Sequence, residues 1–200
     1  MKVLFVNGCL RGAQSRTLEI AEHFLTQLKK RRADAEISVA DLDRLRLLPL
    51  FTDTLAARNA LSAERDWNDP MFAEARRFQQ ADLIVIAAPF WEGTFPAALH
   101  TYIEHVCVTG LTFRYGDKGE QIGMCTAERA VFFTTRGGIY SSGPLMADDY
   151  AESFLRTNLR MLGVPRLDTI AAEGLDIIGM DVPALMRRAK AQVETLVKTF

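Results

Sequence analysis

The chain has 200 residues, of which 48% are hydrophobic and 24% charged, with 24 Lys and Arg against 25 Asp and Glu. A chain of this length buries roughly 70% of its unfolded surface and can fold as a single domain over residues 1–200. The balanced charge excludes an electrostatic drive toward nucleic acid, and no apolar run approaches the ~20 residues of a membrane span. Cys9, Cys107 and Cys125 form no C-x-x-C pair, so we expect a reducing, cytoplasmic location.

Five short apolar runs predict five β-strands, at residues 2–6, 37–42, 83–88, 130–134 and 167–172. Amphipathic segments separate these runs. Strands that alternate with helices imply right-handed crossovers, so we expect an α/β fold with a doubly wound parallel sheet and helices on both faces.

Four amphipathic helices are predicted from apolar residues that recur at steps of three and four. Residues 51–80 are predicted to be helical in pieces, with a break at Asn68-Asp69-Pro70. The third amphipathic helix is predicted over about residues 148–162, and the second is expected to open near Thr94 and Pro96. The four predicted apolar faces are Leu18, Ala21, Leu25 and Leu28; Leu99, Tyr102, Ile103 and Val106; Tyr150, Phe154, Thr157 and Met161; and Leu185, Ala189, Val193 and Leu196.

The loop after the first strand ends in Ser15, Arg16 and Thr17, at the predicted start of a helix. Free backbone N–H groups at a helix N-terminus attract an anion, and these three side chains add further donors. The loop contains neither a dinucleotide fingerprint nor a Walker sequence. It therefore predicts a phosphate site, with helix capping by Ser15 or Thr17 as the alternative.

The loop after the third strand contains Pro89, Phe90, Trp91, Glu92 and Gly93. Doubly wound sheets bind their ligands at the carboxyl ends of the strands. Two large aromatic side chains at that position predict a flat, aromatic ligand.

The loop after the fourth strand contains Thr135, Arg136, Gly137 and Gly138. Consecutive glycines let a ligand approach the backbone and leave N–H donors available, although a Gly pair is more often only a turn. A phosphate site, a ring-stacking loop and a donor-rich loop at one edge fit a mononucleotide with a large planar head, and flavin mononucleotide (FMN) fits best.

Cys9 and Arg16 approximate the C-x-x-x-x-x-R loop of low-molecular-weight phosphatases, which share this fold class. Six residues intervene here instead of five, and Asp69 lies before the third strand, whereas the general acid of those enzymes follows the fourth. We therefore predict that Cys9 is a buried thiol. His100 and His105 lie on different faces of their helix, so no metal site is predicted.

Four segments resemble the FMN-dependent NADH azoreductases and quinone reductases of the flavodoxin-like fold. They are Ser15-Arg16-Thr17, the loop from Pro89 to Ala97, the sequence from Gly110 to Tyr115 and the loop from Thr135 to Ile139. The resemblance implies a five-stranded sheet of order 2-1-3-4-5. It also implies that FMN is held by the phosphate at Ser15, Arg16 and Thr17, by the ring along Phe90 to Gly93, and by the pyrimidine edge at Thr135 to Gly138.

The same resemblance implies a homodimer that transfers two electrons from NADH or NADPH to quinones, azo compounds or similar planar acceptors in a ping-pong cycle. No catalytic acid, base or nucleophile is required, and Arg136 is expected to be a cation near the flavin. The alternative is a flavodoxin-like electron carrier or a flavin-binding regulatory module without substrate turnover.

Three features depart from the family pattern. Gly8 stands where relatives have a hydroxyl residue, and Glu92 stands where they have an Asn that bonds the ring. A carboxylate facing the flavin would lower its reduction potential, unless Glu92 turns outward or is protonated. Trp91 and Gly93 also differ, so we expect a substrate pocket of different shape. Phe113 and Tyr115 either cover the flavin or pack in the core.

Overall fold

The computed structural model describes all 200 residues. Its strands are β1 (Lys2–Asn7), β2 (Glu36–Asp41), β3 (Leu83–Ala87), β4 (Phe113–Tyr115), β5 (Gln121–Gly123), β6 (Arg129–Thr135) and β7 (Arg166–Ala172). Five of them form one parallel sheet in the order β2-β1-β3-β6-β7. All five predicted strands and their predicted order are confirmed, with boundaries that shift by at most one residue.

The helices are α1 (Arg16–Arg31), α2 (Leu42–Leu45), α3 (Thr52–Glu64), α4 (Ala73–Gln79), α5 (Ala97–Val106), α6 (Tyr150–Met161) and α7 (Val182–Leu196). Asp69 accepts a hydrogen bond from the Met71 N–H (2.8 Å) and starts a short 3-10 helix, Pro70–Phe72, ahead of α4. The predicted break between helical pieces is therefore confirmed. None of the helices is long and apolar enough to cross a membrane.

The two faces of the sheet bury separate hydrophobic cores. Leu4, Ile84 and Phe132 pack with α4, α5 and α6 on one face, whereas Val85 and Phe133 pack with α1 and α7 on the other. Side chains alternate between faces along a strand, so each central strand must be apolar at nearly every position. β3 meets this demand, because all five of its residues are buried. The predicted helices on both faces are confirmed.

Two details of the predicted helices are wrong. Helix α5 begins at Ala97, and Thr94 does not cap it, since its hydroxyl lies 3.2 Å from His100 Nε2. Helix α6 turns Ala151, Leu155 and Leu159 into the core. Tyr150 is exposed, so the predicted face of α6 is displaced by one position, about 100° around the helix.

A two-stranded antiparallel hairpin, β4–β5, was not predicted. Phe113 and Tyr115 lie on β4 with their rings 5.7 Å apart. Phe113 is part of the core, whereas Tyr115 is exposed. Neither ring lines the cleft described below, so core packing accounts for Phe113.

Candidate functional site

Helix α1 begins directly after Ser15 at the carboxyl end of β1. The Ser15 hydroxyl caps the helix by accepting from the Leu18 N–H (3.3 Å). The backbone N–H groups of Arg16 and Thr17 donate no hydrogen bond within the chain. Free amides at a helix N-terminus favour an anion, and the capping role of Ser15 leaves these two available.

Thr17 is fully buried, and its hydroxyl lies 2.6 Å from the hydroxyl of Thr135. This contact joins the predicted phosphate loop to the loop after β6. The Thr17 side chain is therefore engaged with Thr135 and does not face the cleft. The backbone amide of Thr17 remains free.

Gly8 is buried against the end of β3. A Cβ atom there would lie 3.2 Å from the Ala87 carbonyl oxygen and 3.3 Å from Ala88 Cβ. The close approach of two backbones, rather than a ligand contact, explains why a residue without a side chain fits this position.

The aromatic loop is shaped by a tight turn from Trp91 to Thr94. These two residues exchange backbone hydrogen bonds of 3.1 and 2.8 Å. Both central residues have positive φ, 48° at Glu92 and 78° at Gly93, which is the pattern of a type I′ turn. The side chain of Glu92 is exposed and lies outside the cleft lining.

Replacing Glu92 by Asn is expected to raise the free energy of unfolding by about 0.5–1 kcal/mol, because Asn tolerates the left-handed conformation far better than Glu. Urea denaturation measures the change. The matched control is Glu128→Asn, an exposed acid without positive φ, which should give no gain. Equal effects at both positions would contradict backbone strain as the cause.

The glycine loop presents unpaired donors at the end of β6. The N–H groups of Gly137 and Gly138 make no hydrogen bond within the chain, while their carbonyl oxygens accept from Asp176 (3.2 Å) and Gly174 (2.9 Å). Pairing of the carbonyls fixes the loop and leaves the amides for a ligand.

A cleft of about 160 Å³ opens where these three loops meet. Eight of the predicted site residues line this cleft together: Ser15, Arg16, Pro89, Phe90, Trp91, Thr135, Arg136 and Gly137. Thr17, Glu92, Gly93 and Gly138 lie outside its lining, and Arg11, Leu175 and Asp176 line it without having been predicted. The adjacent carboxyl ends of β1, β3 and β6 account for the convergence.

The structure places the Arg136 side chain in a different setting from the one predicted. It is only 3% exposed, and its guanidinium donates to Asp149 Oδ2 (2.6 Å) and Glu173 Oε1 (2.9 Å). Sequence reasoning expected a cation beside the ligand. The carboxylates of Asp149 and Glu173 instead neutralise the guanidinium, so Arg136 lines the cleft without offering a free positive charge.

Asp176 is the unpredicted residue with the clearest electrostatic consequence. Its carboxylate lies 3.7 Å from the Arg16 guanidinium and would be 2.6 Å from a Cβ atom at Gly137. It therefore stands between the anion-attracting end of α1 and the glycine loop. No local motif marks it, because it follows β7, which the sequence did not connect to the site.

Asp176→Asn is expected to tighten FMN binding by up to about fivefold, since it removes a carboxylate that competes for Arg16 in an exposed pair worth up to ~1 kcal/mol. Fluorescence titration of FMN checks this. Asp117→Asn, the same charge change on an exposed turn, should leave affinity unchanged. Weaker binding in Asp176→Asn would instead make Asp176 a ligand-holding residue.

Cys9 is a buried thiol, as predicted. Its Sγ lies 3.6 Å from the Ala87 carbonyl oxygen, and burial raises the pKa of the thiol to about 11. A phosphatase nucleophile needs a thiolate at neutral pH. The cysteine-phosphatase alternative is therefore disfavoured.

The three histidines have ordinary partners. His100 stacks near Phe95 with ring centroids 4.4 Å apart, His105 Nε2 lies 2.8 Å from the Leu48 carbonyl oxygen, and His23 pairs with Glu194 at 2.7 Å. No group of three or more His, Cys, Asp or Glu side chains is placed to hold a metal ion.

Residues 1–197 match the model of a family described as having a flavodoxin-like fold. The chain is 34% identical over 200 residues to FMN-dependent NADH:quinone oxidoreductase 2 of Clostridium acetobutylicum, covering 100% of this chain and 99% of that protein. It is equally similar, with the same coverage, to FMN-dependent NADH:quinone oxidoreductase of Lachnoclostridium phytofermentans.

Solved structures share the fold. An azoreductase from Bacillus anthracis superimposes with a TM-score of 0.90 at 24% identity, over the whole of both chains. An FMN-dependent NADH-azoreductase from the same species, in complex with FMN, superimposes with a TM-score of 0.87 at 19% identity, over 99% of this chain and 98% of that one. The chain therefore belongs to the flavodoxin-like family that contains the FMN-dependent NADH:quinone oxidoreductases.

Proposed function

We propose that the protein is an FMN-dependent oxidoreductase that uses NADH or NADPH to reduce quinones, azo compounds or similar planar acceptors. One observation carries the proposal: a single cleft is lined by the start of α1, by Phe90 and Trp91, and by the glycine loop after β6. The names of the 34% identical relatives support the same activity.

The residues present fit FMN. The free N–H groups of Arg16 and Thr17, with the Ser15 hydroxyl, would hold the phosphate. Phe90 and Trp91 would line the ring system. Bound FMN would supply the redox chemistry, taking two electrons from reduced nicotinamide and passing them to the acceptor.

The protein's own contribution is binding and electrostatics. The unpaired N–H groups of Gly137 and Gly138 would donate to the pyrimidine edge, where negative charge develops on reduction, and a preorganised donor stabilises such charge at no reorganisation cost. A side-chain acid, base or nucleophile is not needed for this chemistry. Arg136 is already paired, so the backbone amides carry this role.

The test is spectroscopic and then kinetic. Purified protein should carry a yellow chromophore that is released as FMN, and it should oxidise NADH or NADPH when a quinone or an azo dye is added. Parallel double-reciprocal plots would indicate the ping-pong cycle, and free FMN at the same concentration is the control. Bound flavin that nicotinamide cannot reduce would favour the electron carrier, and a protein that binds no FMN would refute the proposal.

We further propose a cytoplasmic homodimer. Large apolar side chains stand exposed at Phe51, Met146, Tyr150 and Ile178, and contact with a second copy of the chain would remove such side chains from water. The three cysteines are unpaired, which is typical of a reducing compartment. Light scattering should give twice the chain mass of 22.4 kDa; a monomer mass would contradict the dimer.

A further inference from the structure

The ion-pair cluster of Arg136, Asp149 and Glu173 has no role in the chemistry described so far. We propose that Arg136 is a positioning residue, which fixes the glycine loop and the aromatic loop relative to each other so that the cleft is preformed for FMN. This inference rests on the proposed function. It replaces the expectation that Arg136 serves as a positive charge for the flavin.

The charges in the cluster exclude a role for Arg136 as a free positive charge beside the flavin. One guanidinium faces two carboxylates, at 2.6 and 2.9 Å. Partial burial favours the neutral form of Glu173, but hydrogen bonds from Ser141, Tyr140 and Arg136 hold its pKa below the usual value. Glu173 is therefore ionised at neutral pH, and the cluster as a whole is negative rather than positive.

Glu173 connects Arg136 to the glycine loop. Its Oε1 accepts from the backbone N–H groups of Tyr140 (2.9 Å) and Ser141 (3.0 Å) as well as from Arg136. One carboxylate thus fixes the backbone just beyond Gly137 and Gly138. Together with the hydrogen bonds that the two glycine carbonyls accept from Gly174 and Asp176, this anchor sets the direction of the unpaired amides.

Asp149 connects Arg136 to the aromatic loop. Its Oδ1 caps α6 by accepting from the Ala151 N–H (3.0 Å), while its Oδ2 accepts from Arg136. The next residue, Tyr150, donates its N–H to the Gly93 carbonyl oxygen (2.9 Å). The tight turn that carries Trp91 is therefore attached to the same cluster.

Aromatic contacts complete the link between the two loops. The Phe90 and Tyr140 rings lie 4.4 Å apart, with the Arg136 guanidinium 5.4 Å from the Phe90 centroid. The Phe90 N–H also donates to the Thr135 carbonyl oxygen (3.0 Å). Arg136 Nε is buried without a partner, and an unsatisfied buried donor costs stability.

The experiment compares Arg136→Lys with Arg136→Met. Lysine keeps the charge but lacks the planar fork that reaches two carboxylates at once. If Arg136 positions the loops, both variants should bind FMN at least ~10-fold more weakly. At saturating FMN, the reduction potential of the bound flavin should fall in Arg136→Lys, because the glycine amides no longer aim at the reduced ring.

Hydrogen exchange of the apoprotein provides a readout without FMN. The amides of Tyr140 and Ser141 should exchange faster in Arg136→Lys, while amides of the β3 core keep wild-type rates. Arg156→Lys is the matched control, since Arg156 is half exposed and pairs only within α6 with Glu152. It should change neither FMN affinity nor exchange at residues 137–142.

If Arg136→Lys keeps the wild-type FMN affinity and reduction potential, the proposal is overturned. A positive charge at this position would then be enough, without the planar guanidinium. If wild-type protein binds no FMN, the proposed function fails instead, and the two failures are thereby distinguished. Should Arg136→Lys not fold, Asp149→Asn decides: Asn still caps α6 but loses the charged bond to Arg136. Unchanged FMN binding in that variant would also overturn the proposal.

Discussion

The double variant Ser15→Ala/Thr17→Ala is expected to bind FMN about 100-fold more weakly than wild-type protein. Ser15 lines the cleft and Thr17 fixes the neighbouring Thr135 through a 2.6 Å hydroxyl contact. A hydrogen bond from the Ser15 hydroxyl to the charged phosphate contributes about 1.5–3 kcal/mol, and 1.4 kcal/mol is tenfold in affinity, so its loss alone weakens binding by roughly 10- to 100-fold. Fluorescence quenching of FMN on titration with apoprotein measures the loss.

Riboflavin makes this test specific for the phosphate. It lacks the phosphate but carries the same ring, so the variant should lose much less affinity for riboflavin than for FMN. The control is Thr26→Ala/Thr195→Ala, which removes two exposed helical hydroxyls and should leave FMN binding unchanged. Equal losses of affinity for FMN and riboflavin would place the effect at the ring. The N-terminus of α1 would then not be the phosphate site.

Stability must be separated from binding in that variant. Ser15 is the N-cap of α1, and loss of a cap costs about 1 kcal/mol of folding free energy whether or not FMN is present. Urea denaturation of the apoprotein gives this contribution directly. Affinity is therefore compared under conditions where both proteins are fully folded.

The strands and their order could be predicted because buried parallel strands leave a strong signal. The apolar run of β3 is short and β-branched, and Pro89 follows it closely, which favours a buried strand over a helix. The same signal predicted the edge of the sheet at which the three loops meet. Loops that follow central strands were therefore found correctly, and with them Ser15, Phe90 and Gly137 in one cleft.

The predictions that failed concern residues whose contacts lie in distant segments of the sequence. The partners of Arg136 lie 13 and 37 residues away, so no local pattern shows that its charge is already neutralised. Asp176 was missed for the same reason. The face of α6 was misassigned because the first residue after a cap, Tyr150, is apolar yet exposed.

The hairpin β4–β5 was missed because its strands have only three residues each, too few for a period-two pattern to emerge. The packing of β5 instead depends on one glycine. A Cβ atom at Gly123 would lie 2.1 Å from the Gly163 backbone nitrogen and 2.5 Å from the Leu162 carbonyl carbon. These atoms belong to the chain directly after α6, and backbone cannot move aside as a side chain can.

Gly123→Ala is accordingly expected to lower the free energy of unfolding by about 3 kcal/mol, or the melting temperature by roughly 6–12 °C. Gly119→Ala is the matched control: φ is +79° but no atom lies within 4 Å of the added Cβ, so only backbone strain of about 1–2 kcal/mol applies. Calorimetry of both variants isolates the steric contribution. Equal losses would contradict a backbone clash. Because the clash lies at the far end of α6 from Asp149, FMN affinity of the folded variant should remain that of wild-type protein.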